Sequence, residues 1–417
     1  MRILLANHTS RFSGAEVSLL RLIEGLQPDH DLAVACPAGG MLTEAIERIG
    51  LDRYELPNID ISLRLHPLHT SRGLLQLASA SRALARAAKH FRAEVIHANT
   101  IRTGLLAASP LRSRVPVVVR AHEHPPATPV GRSVRAVIVH SAGAVAAVSD
   151  YTTRHFNEGL RQPAAMRVYN SIDHRRLDPA RVAPAPLRRE FGIPPGASLL
   201  GEIAQITPWK NQETAVRALA LLRRAGVNAH LMIVGEVAFA GKRVRYDNQA
   251  YLASLERLVR ALGIADAVHF AGQRQDIPAV LGALDLSLLP SWEEPFGLAT
   301  VESMAMGTPP LVSSVGAGPE LVVDGVSGRV LPPRQAGAWA RAAQGLLRDR
   351  DGLARMARRA RAAAEQYRDE IHAYEMVQVY EAAIRFGRST ARGAATSERR
   401  RVRGAIGAPV AQRPAPG

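Results

Sequence analysis

Cysteine is nearly absent: Cys36 stands alone in 417 residues. One thiol excludes an intramolecular disulfide framework and a cysteine-built zinc cluster, and it favours a reducing compartment. Long apolar runs are missing too. The longest, around Ala136–Val148, is interrupted by His140 and Ser141 and is too short to span a bilayer. The opening Met-Arg-Ile-Leu-Leu-Ala-Asn meets polar sequence at His8 before an apolar region of signal-peptide length has formed. The expectation is a cytoplasmic, soluble protein, with any membrane contact made from the surface on the inner face. Acidic residues are in short supply, 37 against 53 Lys and Arg, for a net charge of +16. That balance favours an anionic partner: nucleotide phosphate, lipid headgroup or nucleic acid. The remaining composition, 47% apolar, 22% charged and 5% aromatic, excludes a disordered or collagen-like bulk.

At about 100–200 residues per domain, the length predicts two or three domains. Short apolar runs alternate with amphipathic stretches almost from end to end. Ile3–Ala6, Asp31–Cys36, Ala93–His97, Val115–Arg120, Ala144–Val148 and Met166–Tyr169 read as buried strands. Ala15–Gly25, Met41–Ile49 and Thr70–Phe91 read as helices between them. Residues 174–186, rich in Arg, Pro and Ala, break the rhythm and read as a linker. It resumes with strands at Ser198–Ile206, His230–Gly235, Val268–Ala271, Leu286–Pro290 and Pro310–Ser313, and helices at Asn211–Arg224, Tyr251–Leu262, Leu298–Met306 and Ala336–Leu347. The pattern predicts two α/β parallel-sheet domains, 1–173 and 187–366, facing across a cleft, with ligands at the carboxyl ends of the strands. Further helices are expected at Leu353–Gln366 and His372–Phe386, the last over 367–388 and crossing back to the first domain. The tail 389–417, with Arg399, Arg400, Arg401 and Arg403, is expected to be disordered.

The segment Glu294-Pro-Phe-Gly-Leu-Ala-Thr-Val-Glu302 follows a strand and opens a helix. Gly297 permits close backbone approach, and the helix start offers free N–H groups to an anion. Glu302, one turn into an otherwise apolar helix, needs a partner such as a ribose diol; Glu294 is placed to accept from sugar hydroxyls. A capping acid and an ordinary surface Glu would read the same way. Lys210, in Pro208-Trp-Lys-Asn211, is either a diphosphate contact or a solvated lysine near a helix start.

With Gly201 to Lys210, Ile233-Val-Gly235, Ala271-Gly272, Ala283-Leu-Asp285, Leu289-Pro-Ser291, Glu294 through Gly307 and Gly316 through Gly328 taken together, the chain resembles the retaining glycosyltransferases of family four, of the GT-B fold and the glycogen-synthase-like group. The resemblance covers roughly residues 1–386 and is stronger in the second half. It implies that Glu294 contacts the donor hexose, Glu302 the donor ribose and Lys210 the diphosphate, helped by the backbone at Phe296, Gly297 and Leu298. The family usually carries an Arg five residues before the Lys; Gln205 stands there, a donor without charge. In the first half, Arg11-Phe-Ser-Gly14-Ala-Glu16 resembles the family's Gly-rich loop near the donor phosphates, although a strand–helix turn would look the same. His122, in Arg120-Ala-His-Glu-His124, falls where the family often places a catalytic His near the donor sugar, with Glu123 and His124 as competitors. His97, Asn99 and His124 are expected on the acceptor side, and Asn170-Ser-Ile-Asp173 at the end of the first domain. The resemblance implies neither cofactor nor divalent metal.

No carboxylate is placed as a nucleophile, so front-face attack, in which the leaving diphosphate takes the acceptor's proton, is the expected route to retention. Three other signals read as bland. Asp349-Arg-Asp351 sits between helices and suggests a cap rather than a metal site. Gly316-Ala-Gly318 lacks the third glycine of a dinucleotide fingerprint. Lys242, Arg243 and Arg245 form a basic insert that reads as a solvated loop. The stretch Ile61 to Ala93 has no acid, and it holds Arg64, Arg72, Arg82, Arg86, Lys89 and Arg92. Its helix either lies on an anionic leaflet or packs on the sheet with its polar face in water. The expected function is transfer of a hexose from a nucleotide diphosphate sugar to a glycan or lipid-linked hydroxyl in polysaccharide or cell-envelope synthesis. The rivals are a sugar-nucleotide epimerase or hydrolase on the same fold, and a nucleic-acid-binding protein; the second gives no reason for Glu294 and Glu302.

Overall fold

Strand residues that are apolar on both faces can be stable only inside a sheet covered on both sides, which is the parallel arrangement. The computed structural model describes residues 1–10, 13–58, 67–107, 115–160, 163–237 and 245–391. Its chain divides into two units, Met1–Ser171 with Asp369–Gly417, and Ile172–Arg368.

The first unit holds strands β1 (Arg2–Ala6), β2 (Asp31–Cys36), β3 (Asp52–Glu55), β4 (Val95–Ala98), β5 (Val117–Ala121), β6 (Ala144–Ala147) and β7 (Ala165–Arg167). They form one parallel sheet in the order β3-β2-β1-β4-β5-β6-β7. Alternate residues serve opposite layers. Leu4, Ile96 and Val119 pack with Leu84, Ala88 and Phe91 of the helix Pro67–Phe91. Ile3, Leu5 and Val118 pack with Leu19 and Ile23 of the helix Gly14–Leu26 and with Met376, Val379 and Tyr380 of the helix Asp369–Ala391. The last helix therefore belongs to the first core although 197 residues of the other unit precede it.

The second unit holds β8 (Ser198–Ile203), β9 (Ala229–Val234), β10 (Val268–Gly272), β11 (Leu286–Leu289), β12 (Pro310–Ser313) and β13 (Arg329–Leu331), in the order β10-β9-β8-β11-β12-β13. Leu200, Leu231, Ile233, Leu286 and Leu311 pack under Val216 and Leu219 of the helix Gln212–Arg224 and Trp339 of the helix Ala336–Arg348.

Several details differ from the expectation. The strand expected from Val115 starts at Val117, because Pro116 has no N–H to give the ladder. That expected from Ala93 starts at Val95, because Arg92 turns with φ 55° and the Ala93 N–H still closes on Ala88 of the helix before it. Residues 174–186, expected as a linker, carry the 3-10 helix Pro179–Arg181 and the first turn of the helix Pro184–Glu190, and they are counted with the second unit. The last helix runs on to Ala391, so the tail expected from 389 begins inside it; 392–417 lie outside the described residues. Asp349 accepts from the Gly352 N–H at 2.8 Å, the capping role expected of it.

Among the described residues no helix is long and apolar enough to cross a membrane. On the helix Pro67–Phe91, Arg82, Arg86 and Lys89 are exposed, while Leu84, Ala88 and Phe91 are buried in the core. The apolar side chains of its second half are thus occupied by the core, whereas Leu75 in the first half is exposed. Arg64 and the side chain of Arg72 lie outside the described residues, as do Lys242 and Arg243 of the basic insert.

Candidate functional site

In the second unit the strand order reverses between β8 and β11, where an open parallel sheet leaves a crevice at its carboxyl edge. The loops there carry the expected donor residues. After β8 comes the 3-10 turn Pro208–Lys210, closed by Asn211 with φ 63°. Asn211 Nδ2 donates to the Pro290 carbonyl at 3.0 Å, which ties this turn to the end of β11. Lys210 Nζ then reaches Glu294 Oε2 at 2.5 Å and lies 4.1 Å from the centroid of the Trp209 ring. Ser291 Oγ donates to the same carboxylate oxygen at 3.2 Å. Both charged side chains are mostly buried, at 15% and 13% exposure, so their attraction is only weakly screened.

Gly297 holds φ 95° and hands the chain to the helix Leu298–Ala305, whose first N–H groups have no partners within the helix. Phe296 contributes only backbone here, because its ring is buried against Tyr367 with centroids 6.0 Å apart. Glu302 lies one turn in, partly buried. Burial pushes its carboxyl up to about 7, and Arg176 pulls part of the way back. Gln205 is half-buried, and its backbone carbonyl accepts from Gln212 Nε2 at 2.9 Å. Arg245, the described part of the basic insert, pairs with Glu293 at 2.7 Å.

Sequence reasoning missed three neighbours. Trp209 and Ser291 stood inside the quoted motifs with no charge to draw notice. Glu202, in β8, is 1% exposed, and neither carboxylate oxygen has a hydrogen-bond partner among the described residues. Burial holds it well above the usual carboxylate range, with Lys210 opposing. An acid inside an apolar strand was the signal.

In the first unit the order reverses between β1 and β4. Asn7 and His8 follow β1, Asn99 follows β4 and His122 follows β5. Gly14 opens the helix Gly14–Leu26 and is exposed; Arg11 and Phe12 lie outside the described residues. His122 Nε2 is 3.3 Å from Asn99 Oδ1, and His97 Nε2 is 3.4 Å from the same oxygen. His97 and Asn99, expected on the acceptor side, are 0% and 1% exposed. Neither offers surface for a ligand to touch, so they act beneath His122. His124 is elsewhere, stacked on His155 at 4.2 Å between ring centroids. Arg120, expected only as a strand end, is 1% exposed; its Nη2 donates to Asn170 Oδ1 at 2.7 Å, with Nε and Nη1 unpartnered among the described residues.

Comparison with known proteins places these two edges in a family. A family model described as Glycosyltransferase Family 4 matches residues 12–176, and one described as Glycosyl transferases group 1 matches residues 185–363. Among curated relatives, a D-inositol 3-phosphate glycosyltransferase of Nocardia farcinica is 35% identical over 204 residues, 48% of this chain and 44% of that one. A protein of the same name from Mycobacterium marinum is 37% identical over 183 residues, 43% and 36% of the two chains. The match thus spans less than half the length of these relatives. Among solved structures, Anabaena HepE in complex with UDP and glucose superposes with a TM-score of 0.78 at 24% identity, covering 91% of this chain and 99% of that one. WaaG, a glycosyltransferase involved in lipopolysaccharide biosynthesis, gives 0.66 at 18% identity over 91% and 99%. These likenesses establish the GT-B fold, and with the two family models they show that the chain belongs to glycosyltransferase family four.

Proposed function

We propose that this chain transfers a hexose from a nucleotide diphosphate sugar to a hydroxyl acceptor with retention of anomeric configuration. The observation that carries the reading is the Lys210–Glu294 pair at the reversal point of the second sheet, beside Gly297 and the start of the helix Leu298–Ala305. A diphosphate brings negative charge to that edge. Lys210 then exchanges its carboxylate for phosphate oxygens, with the helix start adding N–H donors. Released from Lys210, Glu294 accepts from hexose hydroxyls, and Glu302 in its ionised form accepts from the ribose diol. Solved neighbours carrying UDP, UDP with glucose, and UDP-glucose support a uridine donor. The cation and the helix start already supply the charge a leaving diphosphate needs, so no divalent metal is required.

In this proposal the transfer proceeds by front-face attack. The acceptor oxygen bonds to the anomeric carbon as the bond to the diphosphate oxygen breaks, and that oxygen takes the acceptor's proton. Orientation and electrostatics are the protein's part. His122 is proposed as a sugar contact on the first unit. A glycan or lipid-linked acceptor of polysaccharide or cell-envelope synthesis suits the net positive charge, and Arg82, Arg86 and Lys89 would meet an anionic inner membrane surface by charge alone.

The test is incubation of the full chain with uridine and guanosine diphosphate sugars and an extract of candidate lipid-linked and soluble acceptors. Expected is an acceptor-dependent product whose new linkage keeps the donor's anomeric configuration by NMR. An inverted linkage would overturn retention. Donor consumed equally without acceptor would favour a hydrolase or epimerase.

A further inference from the structure

Beneath His122 lies a chain of hydrogen bonds whose direction follows from its fixed ends. The Ala15 carbonyl can only accept, and Asn99 Nδ2 donates to it at 3.2 Å. Asn7 Nδ2 donates to the Thr9 carbonyl at 2.8 Å and to the Glu16 carboxylate at 3.0 Å. That leaves Asn7 Oδ1 to accept from Asn99 Nδ2, at 3.2 Å. The amide of Asn99 is therefore held with its nitrogen on that side and its oxygen on the other, toward Nε2 of both His122 and His97.

An amide oxygen donates nothing, so both of those imidazole nitrogens carry protons. Burial, with Arg120 beside it, lowers His97 to about 3, so the ring is neutral and its Nδ1 is bare. The Tyr380 hydroxyl donates to that Nδ1 at 2.8 Å. His122 is likewise neutral: burial, Arg120 and His97 hold it well below the ordinary histidine range. Its Nδ1 carries a lone pair and no partner among the described residues.

We infer that Asn99, with His97 and Tyr380 behind it, is a positioning residue that locks His122 as the Nε2–H tautomer, so that Nδ1 accepts from a ligand hydroxyl and repels a phosphate or carboxylate. Identifying that hydroxyl as the donor sugar's rests on the proposed function; the lock does not. All the residues of the lock lie within the first unit.

The test has two arms. In the first, the full chain carries 15N-histidine and is read without ligand by long-range proton–nitrogen correlation; His122→Asn assigns the His122 ring. Expected are a protonated Nε2 and a bare Nδ1 on His122 at neutral pH. Asn99→Ala turns His122 into a mixture of tautomers, and Tyr380→Phe, which deletes one oxygen, does so at His97. A major Nδ1–H form of His122 in the wild type, an imidazolium at neutral pH, or unchanged spectra in the variants overturns the lock. Should Asn99→Ala not fold, the wild-type and Tyr380→Phe spectra still decide. In the second arm, calorimetric titration compares UDP-glucose with UDP. Expected is a loss of about three- to tenfold in UDP-glucose affinity for His122→Ala, the scale of one neutral hydrogen bond, with UDP unchanged. His122→Asn, whose amide oxygen can stand near the Nδ1 position, retains more. Equal losses for both nucleotides, or none, overturn the hydroxyl contact. A wild type that binds neither nucleotide counts against the proposed function, while the spectra alone decide the lock.

Discussion

Glu302 illustrates how much a single side chain can report. A carboxyl raised to about 7 keeps its proton in the folded state over a range where the unfolded chain, near 4.5, has lost it. Protons bound preferentially by the folded state stabilise it, by linkage. The contribution is therefore fully present below about pH 4.5, falls as pH rises toward 7, and is lost above it. Glu302→Gln, which titrates nowhere, removes this dependence. The stability difference between wild type and variant should shift in the variant's favour from pH 4.5 to about 8, read by urea unfolding at a series of pH values. A difference that stays constant would show that Glu302 is not buried as a neutral acid. Glu202 pushes stability in the same direction, and comparison with the single variant cancels it.

At the scale of elements, the loops matter more than the strands that carry them. Gly316, after β12, holds φ 79°, and a Cβ there would stand 2.6 Å from the Glu294 carbonyl oxygen and 2.8 Å from its nitrogen. The Ala317 N–H already donates to that carbonyl at 2.8 Å. Gly316→Ala therefore pays for a left-handed alanine and forces the Glu294 loop to move, about 2–4 kcal/mol together. Gly325→Ala is the control: φ 73°, open space around the Cβ, and about 1–2 kcal/mol for conformation alone. Denaturant unfolding should separate the two variants, and only Gly316→Ala should weaken nucleotide binding. Equal costs would mean that the loop yields freely.

The sequence was legible where burial forces a pattern. Short, mostly apolar runs such as Ile3–Ala6 and Leu286–Leu289, recurring between amphipathic stretches, read as buried parallel strands, and Gly297 marked the turn from strand to helix. The edge strand Asp52–Glu55 was not legible, because its sequence, Asp-Arg-Tyr-Glu, has solvent on one side and needs no apolar run. The short helices Ile101–Ala107 and Ile277–Ala283 span too few turns to show a period. Lys210 and Glu294 were each visible, but their pairing over 84 positions needed the β8–β11 reversal to bring them together. The bond from Tyr380 to His97, 283 positions apart, lay beyond any local pattern.

At the scale of the molecule, a net charge of +16 is compatible with nucleotides and nucleic acid alike, so charge alone chooses neither. The distribution of residues chooses. Lys210, Glu294 and Glu302 all belong to the unit Ile172–Arg368, which has its own sheet and its own core. A ligand that binds only the folded form of that unit stabilises it by about 2.7 kcal/mol at one hundred times its Kd. Scanning calorimetry with UDP should therefore raise the transition of this unit more than that of the other, and Lys210→Met should abolish the rise. The shift should survive physiological salt, because a diphosphate is held by a few short contacts. Binding spread over many surface arginines and phosphates falls steeply with salt. If instead polynucleotide raised the transition, lost the effect by about 0.2 M salt, and Lys210→Met left it untouched, the crevice would be idle and the basic surface would be the functional one.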